Sequence, residues 1–262
     1  MKLAVFGASG RMGQAVTRLA HAAPDIQLVG AICAADDPAL GRDAGEVAGV
    51  GAIGVELSAD IAAGLLGADV VIDFSVANAV APLFAASEKA GVAIVSGTTN
   101  LDERGQRALE QAAAKVPVVW APNMSRGVQV LAEVVQHAMR RLGAEFDVEI
   151  VEVHHRKKLD APSGTAIRLA DAAREVRTEL AELRGRDGQV GARTDEEMAV
   201  FGVRGGDVIG DHTVHLLGPS ERLELTHRAT DRDLFARGAI SAARYVLGRA
   251  PGRYTIADVL GG

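Results

Sequence analysis

A run of five basic residues contains the side chains of this sequence best suited to acid–base chemistry. His154 and His155 are followed directly by Arg156, Lys157 and Lys158, although the chain of 262 residues has a formal net charge of -6. Histidine exchanges a proton near neutral pH, and lysine is a compact positive charge. The run therefore indicates a site that binds an anion and moves a proton, with a solvated basic surface as the alternative.

The residues after this run predict the start of a helix. Pro162 and Gly164 favour a turn, and Ser163 and Thr165 precede a segment with helical apolar spacing. Ser or Thr at such a place caps free backbone N–H groups, and the N-terminus of a helix attracts carboxylate or phosphate. The pattern predicts a helix from about residue 163 to 183. Ser163 and Thr165 are therefore candidate binding residues for a small, multiply charged anion.

A strand leads into the basic run. Residues 146–153 mostly alternate apolar and acidic side chains, which predicts a half-buried strand. If the strand continues, His154, Arg156 and Lys158 project to one side and His155 to the other. A histidine and a lysine that face the N-terminus of a helix repel its partial positive charge. This arrangement therefore favours a site whose ligand is an anion.

The composition is that of a globular protein and argues against several classes of function. Hydrophobic residues make up 48% of the chain, and no stretch reaches the ~18 apolar residues of a membrane-spanning helix. The acidic balance argues against nucleic acid and anionic membranes as partners. The first residues run directly into a glycine turn, which predicts no signal peptide, and Cys33 is the single cysteine. We therefore expect a cytoplasmic protein without a disulfide or a metal centre.

The first residues have the pattern of a dinucleotide-binding turn. Lys2–Phe6 is a short apolar strand, a glycine-rich turn follows it, and residues 14–23 and 26–33 have the patterns of a helix and a second strand. In this context the glycines let a pyrophosphate approach the backbone, with a plain tight turn as the alternative. The candidate cofactor-binding residues of the turn are Gly7, Ala8, Ser9, Gly10, Arg11 and Met12.

The end of the second strand leaves the choice between NADH and NADPH open. An Asp or Glu at this place binds the ribose 2′-hydroxyl of NAD, whereas an Arg favours the 2′-phosphate of NADP. This chain has Cys33 and Ala34 there, its acidic residues begin at Asp36, and the next basic residue is Arg42. We therefore expect NADH or NADPH as the cofactor.

Strands and helices alternate as far as residue 125, after an irregular connection at residues 34–52. This alternation predicts an α/β fold with a Rossmann-type, doubly wound parallel sheet. Ligands of such sheets bind outside the carboxyl ends of the strands, so the turns after the later strands are further candidates for cofactor binding. These turns contain Phe74, Gly97, Thr98, Thr99, Ala121, Pro122, Asn123 and Met124.

The pattern changes after residue 125. Predicted strands at residues 198–204, 208–217 and 222–227 follow one another without helices between them. Clustered strands predict a mixed or antiparallel sheet, and therefore a second domain of the α+β type. One face of such a sheet needs a cover, so we expect a homo-oligomer.

Four motifs of this chain occur together in one known family. They are Gly7-Ala8-Ser9-Gly10-Arg11-Met12-Gly13, Gly97-Thr98-Thr99, Ala121-Pro122-Asn123-Met124-Ser125 and Glu152-Val153-His154-His155-Arg156-Lys157-Lys158-Leu159-Asp160-Ala161-Pro162-Ser163-Gly164-Thr165-Ala166. The last motif is highly specific. Over residues 1–260, the sequence resembles the 4-hydroxy-tetrahydrodipicolinate reductase (dihydrodipicolinate reductase) family.

The resemblance implies an activity and roles for the basic residues. The implied reaction is the NAD(P)H-dependent reduction of (2S,4S)-4-hydroxy-2,3,4,5-tetrahydrodipicolinate to tetrahydrodipicolinate, in diaminopimelate and lysine biosynthesis, by hydride transfer to C4 of the ring. His154 would be the acid–base histidine and Lys158 the proton donor. His155, Gly164 and Thr165 would contact this small dicarboxylate.

The resemblance also implies the architecture. Residues 1–125 and 232–262 would form the dinucleotide-binding domain, and residues 126–231 a substrate-binding and oligomerisation domain of a homotetramer. Two positions depart from the family pattern. Asn100 stands where glycine commonly follows the paired threonines, and Cys33 and Ala34 stand where a charged pair is often found near the ribose.

Two other functions are weaker alternatives. A redox sensor would bind the dinucleotide without catalysis, but it would need a partner-binding or DNA-binding surface, and the acidic chain shows no basic recognition helix. An aspartate-semialdehyde dehydrogenase uses a cysteine nucleophile, and Cys33 lies in the wrong part of the predicted fold for that role.

Overall fold

The computed structural model describes residues 1–261 and divides the chain into two compact units. The first unit contains Met1–Arg126 and the chain from Asp233 onwards, and the second contains Gly127–Arg232. The chain therefore leaves the first unit once and returns to it near the C-terminal end. No helix within residues 1–261 is long and apolar enough to cross a lipid bilayer.

A parallel sheet forms the centre of the first unit. Its strands are β1 (Lys2–Phe6), β2 (Gln27–Ile32), β3 (Leu57–Ser58), β4 (Val70–Asp73), β5 (Ala93–Ser96), β6 (Pro117–Trp120) and β12 (Gly252–Tyr254). They lie in the order β12-β6-β5-β4-β1-β2-β3, and every neighbouring pair is parallel. The carboxyl ends of β1, β4, β5 and β6 therefore share one edge of the sheet.

The helices of the first unit cover both faces of this sheet. They are α1 (Arg11–His21), α2 (Ala44–Ala48), α3 (Ile61–Gly64), α4 (Ala77–Ala90), α5 (Glu103–Ala113), α8 (Asp233–Val246) and α9 (Ile256–Val259). Leu3 and Val5 of β1 pack in a cluster with α1 and α8, whereas Ala4 and Phe6 pack in a cluster with α4 and α5. Strands buried on both faces are nearly all apolar. The predicted Rossmann-type, doubly wound parallel sheet is confirmed.

A mixed sheet forms the centre of the second unit. Its strands are β7 (Asp147–His154), β8 (Ala181–Leu183), β9 (Glu197–Arg204), β10 (Gly210–Gly218) and β11 (Glu221–Ala229), in the order β11-β10-β7-β9-β8. β10 is antiparallel to β7 and β11, whereas β9 is parallel to β7 and β8. Val148, Ile150 and Val214 pack against α6 (Arg126–Leu142) and α7 (Gly164–Arg174). The predicted α+β unit with a mixed sheet is confirmed.

The helix after the basic run is shorter than the pattern predicts, so that prediction was wrong. It was expected to reach residue 183, but α7 ends at Arg174, and residues 181–183 form β8 beside β9. The buried guanidinium of Arg177 donates hydrogen bonds to the carbonyl oxygens of Phe146 and Asp195. These bonds hold the chain in a turn where helical spacing would have continued.

The connection at residues 34–52 is also not wholly irregular, because it contains α2. The carboxylate of Asp43 caps this helix by accepting hydrogen bonds from the N–H groups of Gly45 and Glu46. It also accepts hydrogen bonds from the N–H groups of Ile53 and Gly54. A single capping residue in a glycine-rich stretch therefore organises a short helix that apolar spacing did not predict.

The predicted strand before the basic run is confirmed as β7, which ends at His154 and does not continue to Lys158. The N–H of His155 donates to the carbonyl oxygen of Val208 at 2.7 Å, and the N–H of Lys158 donates to the carbonyl oxygen of His155 at 3.0 Å. These bonds turn the chain. Lys158 therefore belongs to a loop, and the alternation of sides predicted for the run does not apply.

Candidate active site

The glycine-rich turn after β1 presents the start of α1 without a side-chain cap. Gly10 is the N-cap of α1, and no side chain of residues 1–261 caps this helix. Gly7 adopts a φ of 75°, and a Cβ at Gly13 would lie 2.2 Å from the carbonyl oxygen of Gly7. Glycine is therefore required where the turn and the helix touch. The hydroxyl of Ser9 donates to Asp37 at 2.5 Å, which fastens the turn to the segment after β2.

A buried carboxylate connects the turns after β4 and β5. Asp73, at the end of β4, accepts hydrogen bonds from the hydroxyls of Ser96 at 2.6 Å and Thr98 at 2.8 Å, and from the N–H of Ser75 at 2.8 Å. Burial raises the pKa of Asp73, and these hydrogen bonds act against that shift. The indole N–H of Trp120 donates to the carbonyl oxygen of Thr98 at 3.1 Å. The ends of β4, β5 and β6 therefore form one connected edge.

The residues predicted to hold a cofactor lie on the turns along this edge. A Cβ at Gly97 would lie 2.3 Å from the ring of Phe74, so the two turns are in close contact. Asn100 adopts a φ of 56°, the left-handed conformation that asparagine tolerates better than most residues. The predicted residues are exposed at Gly10, Arg11, Thr99 and Pro122, half-buried at Gly7, Ser9, Met12, Phe74, Gly97 and Asn123, and buried at Ala8, Thr98, Ala121 and Met124.

His154 and Glu152 form the centre of a second cluster of polar residues, in the second unit. They lie two residues apart on β7, and both are buried. Oε2 of Glu152 lies 2.5 Å from Nδ1 of His154. Burial lowers the pKa of His154, and the hydrogen bond and charge of Glu152 raise it in part. His154 is therefore neutral at pH 7, with its Nδ1–H donated to the carboxylate.

Two further groups hold the carboxylate of Glu152. The guanidinium of Arg204 donates one hydrogen bond to each carboxylate oxygen, both at 2.7 Å, and the N–H of Ser163 donates at 3.1 Å. Burial disfavours the charge, but the hydrogen bonds from Arg204 and His154 outweigh it and hold the pKa of Glu152 below its usual value. Arg204 also donates to the carbonyl oxygen of Asp160. Glu152 is therefore an ionised centre that joins β7, β9 and the loop before α7.

A second buried histidine lies beside His154. Nε2 of His212, on β10, is 2.9 Å from the hydroxyl of Ser163, and its ring meets the ring of His154 edge-on at 5.1 Å. Burial, and next the charge of His154, lower the pKa of His212 to about 4. His212 is therefore neutral at pH 7, and it packs against His154 without adding a charge.

Lys158 lies in the loop that follows His154. Its Nζ is 2.8 Å from both carboxylate oxygens of Asp160, and this bond lowers the pKa of Asp160. The side chain of Asp160 is 64% exposed, and an exposed ion pair is worth about 0–1 kcal/mol. An anionic ligand can therefore displace Asp160 from Lys158 at little cost.

The other basic residues of the run have different environments. Arg156 and Lys157 are exposed, as a solvated surface would be. His155 is half-buried, and its Nε2 lies 3.1 Å from the guanidinium of Arg232. Part of the run is therefore an ordinary charged surface, and the buried or half-buried members are His154, His155 and Lys158.

The start of α7 confirms the predicted cap. The hydroxyl of Ser163 accepts a hydrogen bond from the N–H of Ala166 at 3.2 Å, while its own N–H is donated to Glu152. Gly164 is exposed, and a Cβ placed there would meet nothing within 4 Å. Thr165 is half-buried. The polar groups of Ser163 are thus used within the protein, and the exposed part of the helix start is at Gly164.

Two family models together match almost the whole chain. The model of the N-terminus of dihydrodipicolinate reductase matches residues 1–124, and that of its C-terminus matches residues 127–260. A 4-hydroxy-tetrahydrodipicolinate reductase from Anaeromyxobacter dehalogenans strain 2CP-C is 48% identical over 263 residues, which cover 99% of this chain and 97% of the relative. The chain belongs to the dihydrodipicolinate reductase family.

Other members of the dihydrodipicolinate reductase family agree with this. A 4-hydroxy-tetrahydrodipicolinate reductase from Methylocella silvestris is 45% identical and covers 100% of this chain and 97% of the relative. A solved structure of dipicolinate-bound dihydrodipicolinate reductase from Paenisporosarcina sp. TG-14 superposes with a TM-score of 0.78 at 23% identity, over 97% of each chain. The fold of this chain is therefore that of the dihydrodipicolinate reductases.

Sequence reasoning missed three of the residues that define this site. Arg204 and His212 come from β9 and β10, far from the basic run in sequence, and no local pattern singles them out. Glu152 stood within a strand of alternating residues, where an acid usually faces solvent. Its position on the same face as Val148 and Ile150, which are apolar, was the available signal that its carboxylate is buried.

Proposed function

We propose that this protein is a 4-hydroxy-tetrahydrodipicolinate reductase that uses NADH or NADPH in diaminopimelate and lysine biosynthesis. Membership of the dihydrodipicolinate reductase family supports the substrate class. The observation that carries the chemistry is the second-unit cluster, in which a buried imidazole, the ammonium of Lys158 and the exposed start of α7 come from one continuous segment. This combination suits a small dicarboxylate that must be protonated.

The edge of the first unit fits a nicotinamide dinucleotide. Its glycine turn is too closely packed for a side chain at Gly13, and α1 begins without a side-chain cap among the described residues. Such a helix start stabilises a pyrophosphate. When bound, the reduced nucleotide supplies the hydride that is added to C4 of the substrate ring. The residues that would hold it are Gly7 to Met12, Phe74, Gly97 to Thr99 and Ala121 to Met124.

The second unit supplies the groups that would bind and protonate the substrate. The hydroxyl on C4 leaves as water, which gives an unsaturated ring to which hydride can add. Hydride addition leaves negative charge on this ring, and Lys158 is the cation that would protonate or stabilise it. His154 is neutral in the free protein, but the negative charges of a bound dicarboxylate raise its pKa towards the range in which it exchanges a proton. His155, Gly164 and Thr165 would contact the substrate carboxylates, while Ser163 holds the helix start in place.

Steady-state oxidation of NADH and of NADPH, measured side by side, tests the proposed reaction. The substrate is generated in the assay from pyruvate and aspartate semialdehyde. We expect oxidation that depends on the substrate, and the ratio of kcat/KM for the two nucleotides decides which one is preferred. If neither nucleotide is oxidised, the proposed activity is wrong.

Lys158→Ala tests the proposed proton donor. Loss of a general acid typically lowers turnover by about 10²–10⁴-fold, so kcat should fall by at least the lower figure. Nucleotide binding, followed by the fluorescence of the reduced cofactor, should not change. Lys157→Ala is the matched control, because Lys157 is the exposed neighbour in the same loop. Near-normal turnover in Lys158→Ala would remove this lysine from the mechanism.

We further propose a cytoplasmic homotetramer. The face of the mixed sheet opposite α6 and α7 carries Phe201, Val203 and Leu217, and Val203 is 47% exposed. Apolar side chains on an open sheet face favour burial against another copy of the chain. Sedimentation equilibrium should give four times the chain mass. A monomer at micromolar concentration would contradict this part of the proposal.

A further inference from the structure

We propose that Glu152 is a positioning residue for His154. Its carboxylate selects the ring nitrogen that carries the proton and holds the imidazole beside the start of α7. This inference rests on the proposed function, because it assumes that His154 takes part in the reaction. It assigns no contact with substrate to Glu152 itself.

The hydrogen bonds of Glu152 show why it does not bind substrate. A carboxylate has about four acceptor sites on its two oxygens. Nδ1 of His154, the N–H of Ser163 and the two terminal nitrogens of Arg204 occupy four of them. The side chain is also fully buried. The carboxylate therefore acts on the reaction only through the groups that it holds.

The bond between Glu152 and His154 determines the tautomer of the imidazole. An ionised carboxylate only accepts hydrogen bonds, so Nδ1 of His154 must carry a proton. The two bonds from Arg204 keep Glu152 ionised. In the neutral ring, Nε2 is then the unprotonated nitrogen. It lies beside Gly210, where an added Cβ would be 2.9 Å away, so a side chain at position 210 would crowd the ring.

The same carboxylate holds the helix start that the proposed substrate uses. Oε1 of Glu152 accepts the N–H of Ser163, and the hydroxyl of Ser163 caps α7 and contacts His212. The ring of His212 packs edge-on against that of His154. These contacts therefore form a closed loop of side chains that includes the imidazole of His154. Displacing the carboxylate would loosen the histidine and the helix start together.

Four groups that can carry charge surround His154. Glu152 on β7 raises the pKa of the imidazole, whereas Arg204 on β9 and Lys158 in the following loop lower it by repulsion. His212 on β10 is neutral at pH 7. Removing the negative charge of Glu152 should therefore lower the pKa of His154.

The wild-type protein provides the first test. Full-length protein labelled with ¹⁵N-histidine gives imidazole nitrogen shifts that distinguish the two neutral tautomers, with a His154→Gln sample to assign the signal. We expect the proton of neutral His154 on Nδ1. A neutral ring protonated on Nε2 would overturn the inference, and this outcome does not depend on the folding of any variant at Glu152.

Two variants provide the second test. In Glu152→Gln the pKa of His154 should fall by about one unit or more, the tautomer should shift towards Nε2–H, and kcat should drop by about 10²-fold with unchanged nucleotide binding. Glu149→Gln is the matched control: Glu149 lies on the same strand as Glu152 but on the opposite face of the sheet, where it pairs with Arg186 and Arg193. It should leave His154 and kcat unchanged.

The readouts separate this inference from the proposed function. An unchanged pKa of His154 in Glu152→Gln, or an equal loss of kcat in Glu149→Gln, would mean that the glutamate is only structural. Failure of the wild-type protein to oxidise either nucleotide would overturn the proposed reaction instead. The NMR results do not require turnover, so they report on the imidazole in either case.

Discussion

Gly164→Ala separates the proposed substrate site from the stability of the fold. Gly164 is the first residue of α7 and is exposed, and a Cβ there would meet nothing within 4 Å. Its φ is not in the left-handed region, so alanine adopts the same backbone conformation. The methyl group would project into open space, which under the proposed function is the space that a substrate carboxylate needs to reach the backbone of the helix start.

The variant should keep or slightly raise the stability of the fold but weaken the binding of substrate. Alanine is favoured over glycine by up to about 1 kcal/mol within a helix, so the free energy of unfolding should stay constant or rise slightly. A hydrogen bond to a charged group is worth about 1.5–3 kcal/mol, and 1.4 kcal/mol corresponds to a tenfold change in affinity. If the methyl group prevents one such bond, KM for the substrate should increase by about 10–100-fold.

The assay combines urea unfolding with steady-state kinetics at varied substrate and with a fluorescence titration of reduced nucleotide. Nucleotide affinity should not change. Gly205→Ala is the control, because its added Cβ also meets nothing within 4 Å and its φ is not left-handed. It should keep KM at the wild-type value. An unchanged KM in a folded Gly164→Ala protein would refute the argument that the start of α7 receives the substrate.

Two further changes test the two units separately. In Gly13→Ala the added Cβ would lie 2.2 Å from the carbonyl oxygen of Gly7. Urea unfolding should show a loss of about 1–3 kcal/mol of stability, and fluorescence titration should show a loss of most nucleotide affinity. Wild-type affinity would contradict the close packing of the turn. Burial lowers the pKa of His212 in the folded protein from 6.5 to about 4. The contribution of neutral His212 to the stability of the fold is therefore fully present above pH 6.5 and is lost as the pH falls to about 4. The free energy of unfolding should decrease by up to about 3 kcal/mol over this window, and His212→Gln should lack that part of the decrease; equal slopes for the two proteins would show that His212 does not titrate as described.

The features predicted correctly are those whose signals are local. The glycine turn follows directly after an apolar strand, so Gly7 and Gly13 could be recognised without a structure. The cap at Ser163 depends on its bond to Ala166, three residues later. The alternation of strands and helices predicts a parallel sheet because each crossover is contained within a few tens of residues.

Two element ends could not be predicted from local spacing, because groups from distant parts of the chain determine them. The predicted helix ends early because Arg177 reaches the carbonyl oxygens of Phe146 and Asp195. The sequence left open whether the strand before the basic run continues, and it ends at His154 because the N–H of His155 donates to the carbonyl oxygen of Val208. Helical or strand spacing describes the preference of a segment alone, and such hydrogen bonds override it.

The basic run, the turn and the helix cap lie within one segment, and that segment alone predicted a site that binds an anion and moves a proton. The protonation state of that segment was decided by residues that strand pairing brings to it. β9 pairs with β7 so that Arg204 stands opposite His154, and β10 pairs so that His212 stands opposite Glu152. Register between strands depends on packing across the whole sheet, and burial of a charge depends on every neighbour. No pattern within residues 154–166 contains that information.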